Sequence, residues 1–205
     1  MNKMVLMLAA ATVAAATTNA GAAGNAAAGQ AKSATCAACH GADGNSVSPQ
    51  FPKLAGQNAD YIVRELQRFK SGERKNPIMQ PMAAPLSTQD MEDLAAWFSS
   101  QTVQPGEADP NLVKTGAAVY RGGDAESGVP ACLACHGPDG AGNGPMLIPA
   151  LAGQHAAYVV SQLQAFADGS RKSPMMDTIA ARLTPTQMQA VASYIQGLHY
   201  APIQP

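Results

Sequence analysis

Apolar positions along the chain recur with the period of a helix. In residues 59–71 the large apolar side chains return every three or four positions, with charged residues between them, which predicts an amphipathic helix. Capping signals, Ser87 to Asp90 and Thr184 to Gln187, precede two more helices. The apolar stripes of those helices are Met91, Leu94, Ala95 and Phe98 in one and Met188, Val191, Ala192 and Ile195 in the other. No long stretch alternates with period two, so we predict an all-α fold with little or no strand.

The chain repeats itself once. Cys36 begins a hexapeptide that recurs 96 positions later at Cys132, and Leu54 begins a Leu-Ala-Gly-Gln segment that recurs 97 positions later at Leu151. A duplicated domain explains both matches. The predicted boundaries are 21–100 for an N-terminal domain, 101–108 for a linker of Pro, Gly and polar residues, and 109–205 for a C-terminal domain.

The first twenty residues predict a secretory signal. Lys3 supplies a basic start, residues 4–16 are apolar, and Thr18-Asn19-Ala20 offers small residues for cleavage. The apolar run of about 13 residues is shorter than the roughly 20 that a membrane-spanning helix needs. We therefore expect residues 1–20 to be removed and the mature protein to lie in the periplasm.

Composition narrows the class of partner and suggests a cofactor. Charged residues make up 13% of the chain and the formal net charge is -1, which argues against a nucleic-acid partner because such proteins carry a basic patch. Aromatic residues make up only 5%, which is thin for two small domain cores. A buried cofactor in each domain would fill the remaining space.

The repeated hexapeptide carries the Cys-x-x-Cys-His signature of covalent haem attachment. Its residues are Cys36, Cys39 and His40 in the first copy and Cys132, Cys135 and His136 in the second. Two thiols on one helical turn can form thioethers with one porphyrin, and the adjacent imidazole can bind the iron. A redox disulfide or half of a zinc site are the alternatives for a single Cys-x-x-Cys. Two haem c groups would use all four cysteines, so no disulfide is expected.

A methionine is the predicted second axial ligand in each domain. The repeat pairs Met79 with Met176 just after a proline, in a segment that could fold over the haem. It also pairs Met91 with Met188, but these lie on the apolar stripe of a helix, where core packing explains them better. The alternatives that stay open are Met82 and Met175. A thioether ligand raises the reduction potential and fills the sixth position, so it favours electron transfer over catalysis.

The repeat also matches prolines and basic residues outside the haem motifs. Pro52 and Pro149 precede the Leu-Ala-Gly-Gln segments, and their carbonyls could accept a hydrogen bond from the proximal imidazoles. The basic pair that begins at Arg74 recurs from Arg171 and could face haem propionates, a partner or solvent. Two further histidines are not expected to bind iron, His155 because it aligns with Asn58 and His199 because it lies near the C-terminus.

The sequence resembles the cytochrome c4 family of dihaem cytochromes over nearly the whole mature chain. The shared segments are the paired haem motifs, Asp43-Gly44-Asn45, Phe51-Pro52-Lys53-Leu54-Ala55-Gly56-Gln57, Gly153-Gln154-His155-Ala156-Ala157-Tyr158 and residues 193–199. The resemblance implies two tandem cytochrome c-like helical domains, related by a pseudo-twofold axis, that each enclose one covalently bound haem. The family's axial ligand positions match His40, Met79, His136 and Met176.

The resemblance also implies a function. It implies a periplasmic electron carrier of a respiratory chain, not itself an enzyme, that accepts electrons from a quinol-oxidising complex and delivers them to a haem–copper terminal oxidase. Membrane association would then be peripheral, through those partners. The leading alternative is the electron-accepting subunit of a flavoprotein sulfide dehydrogenase. Direct catalysis would require an iron with an open sixth position.

Overall fold

A computed structural model describes residues 24–199; the predicted signal at 1–20 lies outside this range. The first half of the described chain contains five helices. They are α1 (Ala26–Lys32), α2 (Ala34–His40), α3 (Ala59–Ser71), α4 (Met79–Ala83) and α5 (Thr88–Ser99).

The second half repeats the five-helix order. Its helices are α6 (Val113–Gly122), α7 (Leu133–His136), α8 (Ala156–Ala167), α9 (Met176–Ala180) and α10 (Pro185–Gly197). The only β pairing between residues 24 and 199 consists of two isolated bridges, Asp124 with Val129 and Asn143 with Ile148. The all-α prediction is confirmed, and no helix in this range is long and apolar enough to cross a membrane.

Both predicted capping boxes are present. The Ser87 hydroxyl accepts from the Asp90 amide while the Asp90 carboxylate accepts from the Ser87 amide, at the start of α5. Thr184 and Gln187 make the same reciprocal pair at α10, where proline occupies the first turn. Such caps satisfy amide groups that have no partner inside the helix.

The first and last helices of each domain cross at a glycine. A Cβ on Gly29 of α1 would collide with the carbonyl oxygen of Asp93, and one on Gly116 of α6 would collide with that of Ala190. The two glycines therefore let α1 approach α5, and α6 approach α10, closely enough for backbone to pack on backbone.

A charged group also ties α1 to α5. The buried Asp93 carboxylate accepts from the Asn25 amide at 2.8 Å and from the Lys32 ammonium at 2.6 Å, while Lys32 also pairs with Asp90 at 2.8 Å. The Asn25 amide, with Lys32 and Gln89, lowers the pKa of Asp93 to about 2.

Each domain has its own apolar core. The N-terminal cluster of buried residues consists of Ile62, Leu94, Ala95 and Phe98. The C-terminal cluster is larger and is centred on α6, α8 and α10, with Tyr120 and Val191 almost completely buried. The stripes predicted for α5 and α10 all lie inside: Met91, Leu94, Ala95, Phe98, Met188, Val191, Ala192 and Ile195 are buried.

Two glutamines join the domains in a reciprocal way. The Gln57 amide donates to the Ala150 carbonyl at 2.9 Å and accepts from the Ala150 amide at 2.8 Å. Gln154 makes the equivalent pair with the amide and the carbonyl of Lys53, both at 2.9 Å. Because Gln57 and Gln154 occupy matching places in the repeat, these four buried bonds obey the pseudo-twofold symmetry of the two domains.

Candidate haem sites

Each Cys-x-x-Cys-His motif lies on a short helix. Cys36, Cys39 and His40 lie on α2, and His40 is its last residue. In the second domain Cys132 caps α7, which ends at His136. Cys36 packs against the N-terminal core and Cys132 against the C-terminal core, so the first thiol of each motif lies beside apolar side chains.

The loop after each motif is closed by a glycine. Gly44 and Gly140 adopt φ values of +78° and +77°, a region that a side chain disfavours. The carbonyl of Gly44 accepts from the Leu54 amide at 2.8 Å, and that of Gly140 accepts from the Leu151 amide at 2.7 Å. These bonds bring the proline that stands two positions before each leucine, Pro52 or Pro149, back toward the motif histidine.

A proline carbonyl orients each motif histidine, as predicted. Nδ1 of His40 donates to the Pro52 carbonyl at 2.8 Å, and Nδ1 of His136 donates to the Pro149 carbonyl at 3.0 Å. A carbonyl can only accept, so the proton lies on Nδ1 and the Nε2 lone pair is left for a metal. Burial lowers the pKa of both imidazoles, which keeps them in the neutral form that binds iron.

The thiols do not have the character of a redox dithiol. Burial raises the pKa of Cys36 and raises that of Cys132 to about 11. A thiol–disulfide oxidoreductase depends on the opposite shift, because its attacking cysteine must be a thiolate near neutral pH. The disulfide alternative for the motif is therefore disfavoured in both domains.

The methionine candidates differ in exposure. Met79 and Met176 are partly buried and are the first residues of α4 and α9. Met82 and Met175, the two alternatives, are 36% and 55% exposed. The backbone amide of Met79 donates to the Asn76 side-chain oxygen at 2.8 Å. The backbone amide of Met176 donates to the Ser173 hydroxyl at 3.3 Å, so both helices begin in the same way.

The donor set fits haem c. Each domain presents two thiols within one helical turn, a neutral imidazole with Nε2 available, and a partly buried thioether on a separate helix. The two remaining histidines stand apart from these donors. Nε2 of His155 donates to the Ser46 carbonyl at 2.8 Å, and His199 is exposed, as predicted.

The repeated basic pairs are divided between the interior and the surface. Lys75 and Lys172 are exposed, but only 7% of Arg171 is accessible, and Arg74 is half-buried. Arg171 donates to the Tyr61 hydroxyl at 2.7 Å, and Arg74 donates to the Tyr158 hydroxyl at 3.0 Å. The arginines thus belong to the domain interface, and the solvent-facing alternative holds only for the lysines.

Sequence reasoning did not identify the carboxylate at the centre of this interface. Glu65 of α3 is 5% exposed and pairs with Arg74 at 2.7 Å and Arg171 at 3.1 Å. Burial alone would raise the pKa of Glu65, but Arg171, Arg74, Arg64 and Arg68 together outweigh it and hold the pKa below its ordinary value. Glu65 aligns with Gln162 in the repeat, so its charge could not be recognised from the matched positions.

Comparison with known proteins identifies the family. The cytochrome c family model matches residues 26–102 and again 113–199. The cytochrome c4 of Pseudomonas aeruginosa is 49% identical over 176 residues, which cover 84% of this chain and 88% of that protein. The crystal structure of reduced recombinant cytochrome c4 from Pseudomonas stutzeri superposes with a TM-score of 0.84 at 48% identity, covering 86% of this chain and all of that one.

A further relative is named for the enzyme from which it accepts electrons. It is a thiosulfate dehydrogenase electron acceptor of Thiomonas intermedia, 40% identical over 181 residues, which cover 83% of this chain and 82% of that protein.

The chain described here has two cytochrome c domains with a haem motif in each. It therefore carries two haem c groups and transfers electrons without being an enzyme itself. The chain belongs to the cytochrome c4 family of dihaem cytochromes.

Proposed function

We propose that the four motif cysteines hold the haems by thioethers and that His40 with Met79, and His136 with Met176, are the axial ligands. The support is that both imidazoles are neutral, buried and oriented through Nδ1. Met79 and Met176 are also less exposed than their alternatives and begin equivalent helices. When bound, haem c supplies an iron that exchanges one electron at a time.

From this ligand set we infer that the protein is an electron carrier. The observation that supports it best is the matched pair of donors in both domains, a proline-held imidazole and a partly buried thioether. A thioether in the sixth position leaves no place for a substrate on the iron. The protein residues then act by holding ligand geometry constant between the two oxidation states, which favours rapid transfer.

The proposed place of action is the periplasm. The basic start at Lys3, the short apolar run and the small residues up to Ala20 support export. There the protein would take electrons from a quinol-oxidising complex and deliver them to a terminal oxidase. Mass measurement of the purified protein would test export, since cleavage at Ala20 and two attached haems give a defined mass.

Membranes from the source cells provide the functional test. With quinol as donor and cyanide blocking the oxidase, added oxidised protein should become reduced, and an inhibitor of the quinol-oxidising complex should prevent it. Reoxidation should follow when uninhibited oxidase is supplied. Failure of the membranes to reduce the protein under these conditions would contradict the proposal.

The relative from Thiomonas intermedia favours one alternative, an acceptor for a sulfur-compound dehydrogenase. The same assay distinguishes the two roles when the donor is thiosulfate with thiosulfate dehydrogenase, or sulfide with its flavoprotein dehydrogenase. Reduction by one of these enzymes that is much faster than reduction by the quinol-oxidising complex would assign the acceptor role.

A further inference from the structure

The carbonyl that orients each motif histidine belongs to a peptide group that also contacts the other domain. In the first domain the Pro52 carbonyl accepts from Nδ1 of His40 at 2.8 Å. The amide of the same peptide group is that of Lys53, and it donates to Oε1 of Gln154 at 2.9 Å. Two hydrogen bonds and one peptide group therefore join the imidazole of the first domain to a side chain of the second.

The second domain contains the equivalent path in the opposite direction. The Pro149 carbonyl accepts from Nδ1 of His136 at 3.0 Å. The Ala150 amide of the same peptide group donates to Oε1 of Gln57 at 2.8 Å. The residue after the proline is lysine in one copy and alanine in the other, and the path is unaffected because only the backbone of that residue takes part.

Both glutamine side chains are fixed with their oxygens on these amides. Oε1 of Gln57 also accepts from the Asn58 amide at 2.9 Å, and Oε1 of Gln154 accepts from the His155 amide at 3.1 Å. Each Nε2 donates to the carbonyl of the residue whose amide its Oε1 accepts, at 2.9 Å in both copies. Gln57 and Gln154 are 9% and 7% exposed, so turning either amide round would leave buried polar groups without partners.

A peptide group transmits polarisation from its N–H to its carbonyl. When the N–H donates to an acceptor, electron density moves to the carbonyl oxygen, which then accepts more strongly. Bonds in such a chain strengthen one another by roughly 10–30% each, most effectively in a buried, low-dielectric setting. A stronger acceptor at Nδ1–H makes the imidazole a more basic iron ligand. Such a ligand favours ferric over ferrous iron and lowers the reduction potential.

We propose that Gln154 lowers the reduction potential of the haem bound by His40, and that Gln57 lowers that of the haem bound by His136, each acting across the domain interface. This inference rests on the proposed function, which makes these two histidines axial ligands. Neither glutamine contacts a histidine directly, so both are positioning residues that act through a proline peptide group. The contact between the domains is thus part of what sets each potential.

Gln154→Met in the haem-loaded protein tests the proposal, because the thioether side chain has a similar length but is only a weak acceptor for the Lys53 amide. Proton NMR of the ferrous protein reports each Nδ1–H, whose chemical shift falls when its hydrogen bond weakens. The His40 resonance should move in this direction while the His136 resonance stays in place. Gln57→Met should have the reverse effect.

The reduction potentials provide a second readout with a defined sign. In Gln154→Met the equilibrium constant for reduction of the His40 haem should rise about threefold, the size expected when one hydrogen bond weakens by roughly 10–30%. A loosened interface that admits water would have the opposite effect, since water stabilises the more highly charged ferric haem. A fall in that equilibrium constant would therefore contradict the proposal.

Gln162→Met is the matched control for disturbance of the interface. Gln162 accepts from Arg74 of the other domain at 2.8 Å and from Arg171 at 2.8 Å, and neither of these bonds involves a proline peptide group. The control should leave both Nδ1–H resonances in place. Unaltered resonances in both glutamine variants would overturn the proposal, as would equal movement of both resonances in a single variant, which is what a role in packing alone would produce.

The same spectra test the ligand assignment separately. The porphyrin ring current shifts the ring protons of a haem-bound imidazole far upfield. Wild-type His40 and His136 ring protons without that shift would refute the proposed ligands and this proposal with them. Shifted ring protons together with an Nδ1–H that does not respond to Gln154→Met or Gln57→Met would refute the role of the glutamines alone.

Discussion

At the scale of single residues, the orientation of the imidazole distinguishes this site from an ordinary buried histidine. Each motif histidine donates Nδ1–H to a proline carbonyl, so its Nε2 points away from that loop with its lone pair unshared. The position of the proline could be read from the repeat, because Pro52 and Pro149 precede identical segments. The hydrogen bond itself depends on the loop closed by Gly44 and Gly140.

Methionine replacement should open one iron at a time. Met79→Ala and Met176→Ala are each expected to abolish the thioether-to-iron absorption of one haem, lower that haem's reduction potential and leave the other unchanged. The visible and near-infrared spectra of the oxidised proteins measure this. Met82→Ala and Met175→Ala are the matched controls and should retain both signals; loss of a signal in a control would reassign the ligand.

Removing the interface carboxylate should destabilise the protein in a pH-dependent way. Glu65→Gln leaves the surrounding arginines without their counter-charge, which typically costs about 3 kcal/mol in unfolding free energy. The pKa of Glu65 is lowered in the folded state, so its contribution is complete above the unfolded pKa of about 4.3 and disappears as the pH falls through the folded value.

Urea denaturation from pH 7 downward measures that effect. The difference between wild type and Glu65→Gln should be largest near neutral pH and shrink as the solution becomes more acidic. Glu73→Gln removes a carboxylate that is 62% exposed, and should cost less than about 1 kcal/mol. A difference for Glu65→Gln that grows on acidification would contradict this account.

At the scale of helices, the glycine crossings should be intolerant of a single methyl group. Gly116→Ala places Cβ against the Ala190 carbonyl, a backbone atom that cannot move without separating α6 from α10. We expect a loss of about 1 to 3 kcal/mol. Gly122→Ala is the control on the same helix, since a Cβ there meets nothing within 4 Å. Equal denaturant midpoints for the two variants would show that the crossing is not closely packed.

The helices were easier to predict than the spacing between them. In the repeat α3 corresponds to α8 and α5 corresponds to α10, because the apolar period recurs in the first pair and the capping signal recurs in the second. Gly29 and Gly116 hold equivalent crossings but lie only 87 positions apart, whereas Cys36 and Cys132 lie 96 apart. The nine extra residues form the loop between α6 and α7, where Asp124 pairs with Val129. Comparison of motifs alone gives no sign of this insertion.

At the scale of the whole molecule, the domain interface was the part least accessible from sequence. Its residues come from separate segments, and their partners differ between the two copies. Glu65 corresponds to Gln162 in the repeat, and His155 corresponds to Asn58. The basic dipeptides could be recognised by their recurrence, but their burial depends on how the domains meet, which no local pattern encodes.

The reciprocal glutamines should couple the unfolding of the two domains. Gln57→Ala with Gln154→Ala would leave the amides and carbonyls of Lys53 and Ala150 buried without partners, at roughly 1 to 3 kcal/mol for each lost group. We expect the wild type to unfold in one thermal transition and the double variant to unfold in two. Gln50→Ala, at an exposed position, should leave one transition. A single unshifted transition in the double variant would show that other contacts govern the coupling.

The central claim is that both irons keep a methionine and that the protein is therefore a carrier. The most direct measurement is the visible spectrum of the anaerobically reduced, haem-loaded protein before and after addition of carbon monoxide, which binds ferrous haem only where the sixth position is open or weakly held. The account predicts an unchanged spectrum. A shift in about half of the haem absorbance would mean that one iron is accessible to ligands, and it would contradict the assignment of a closed electron carrier.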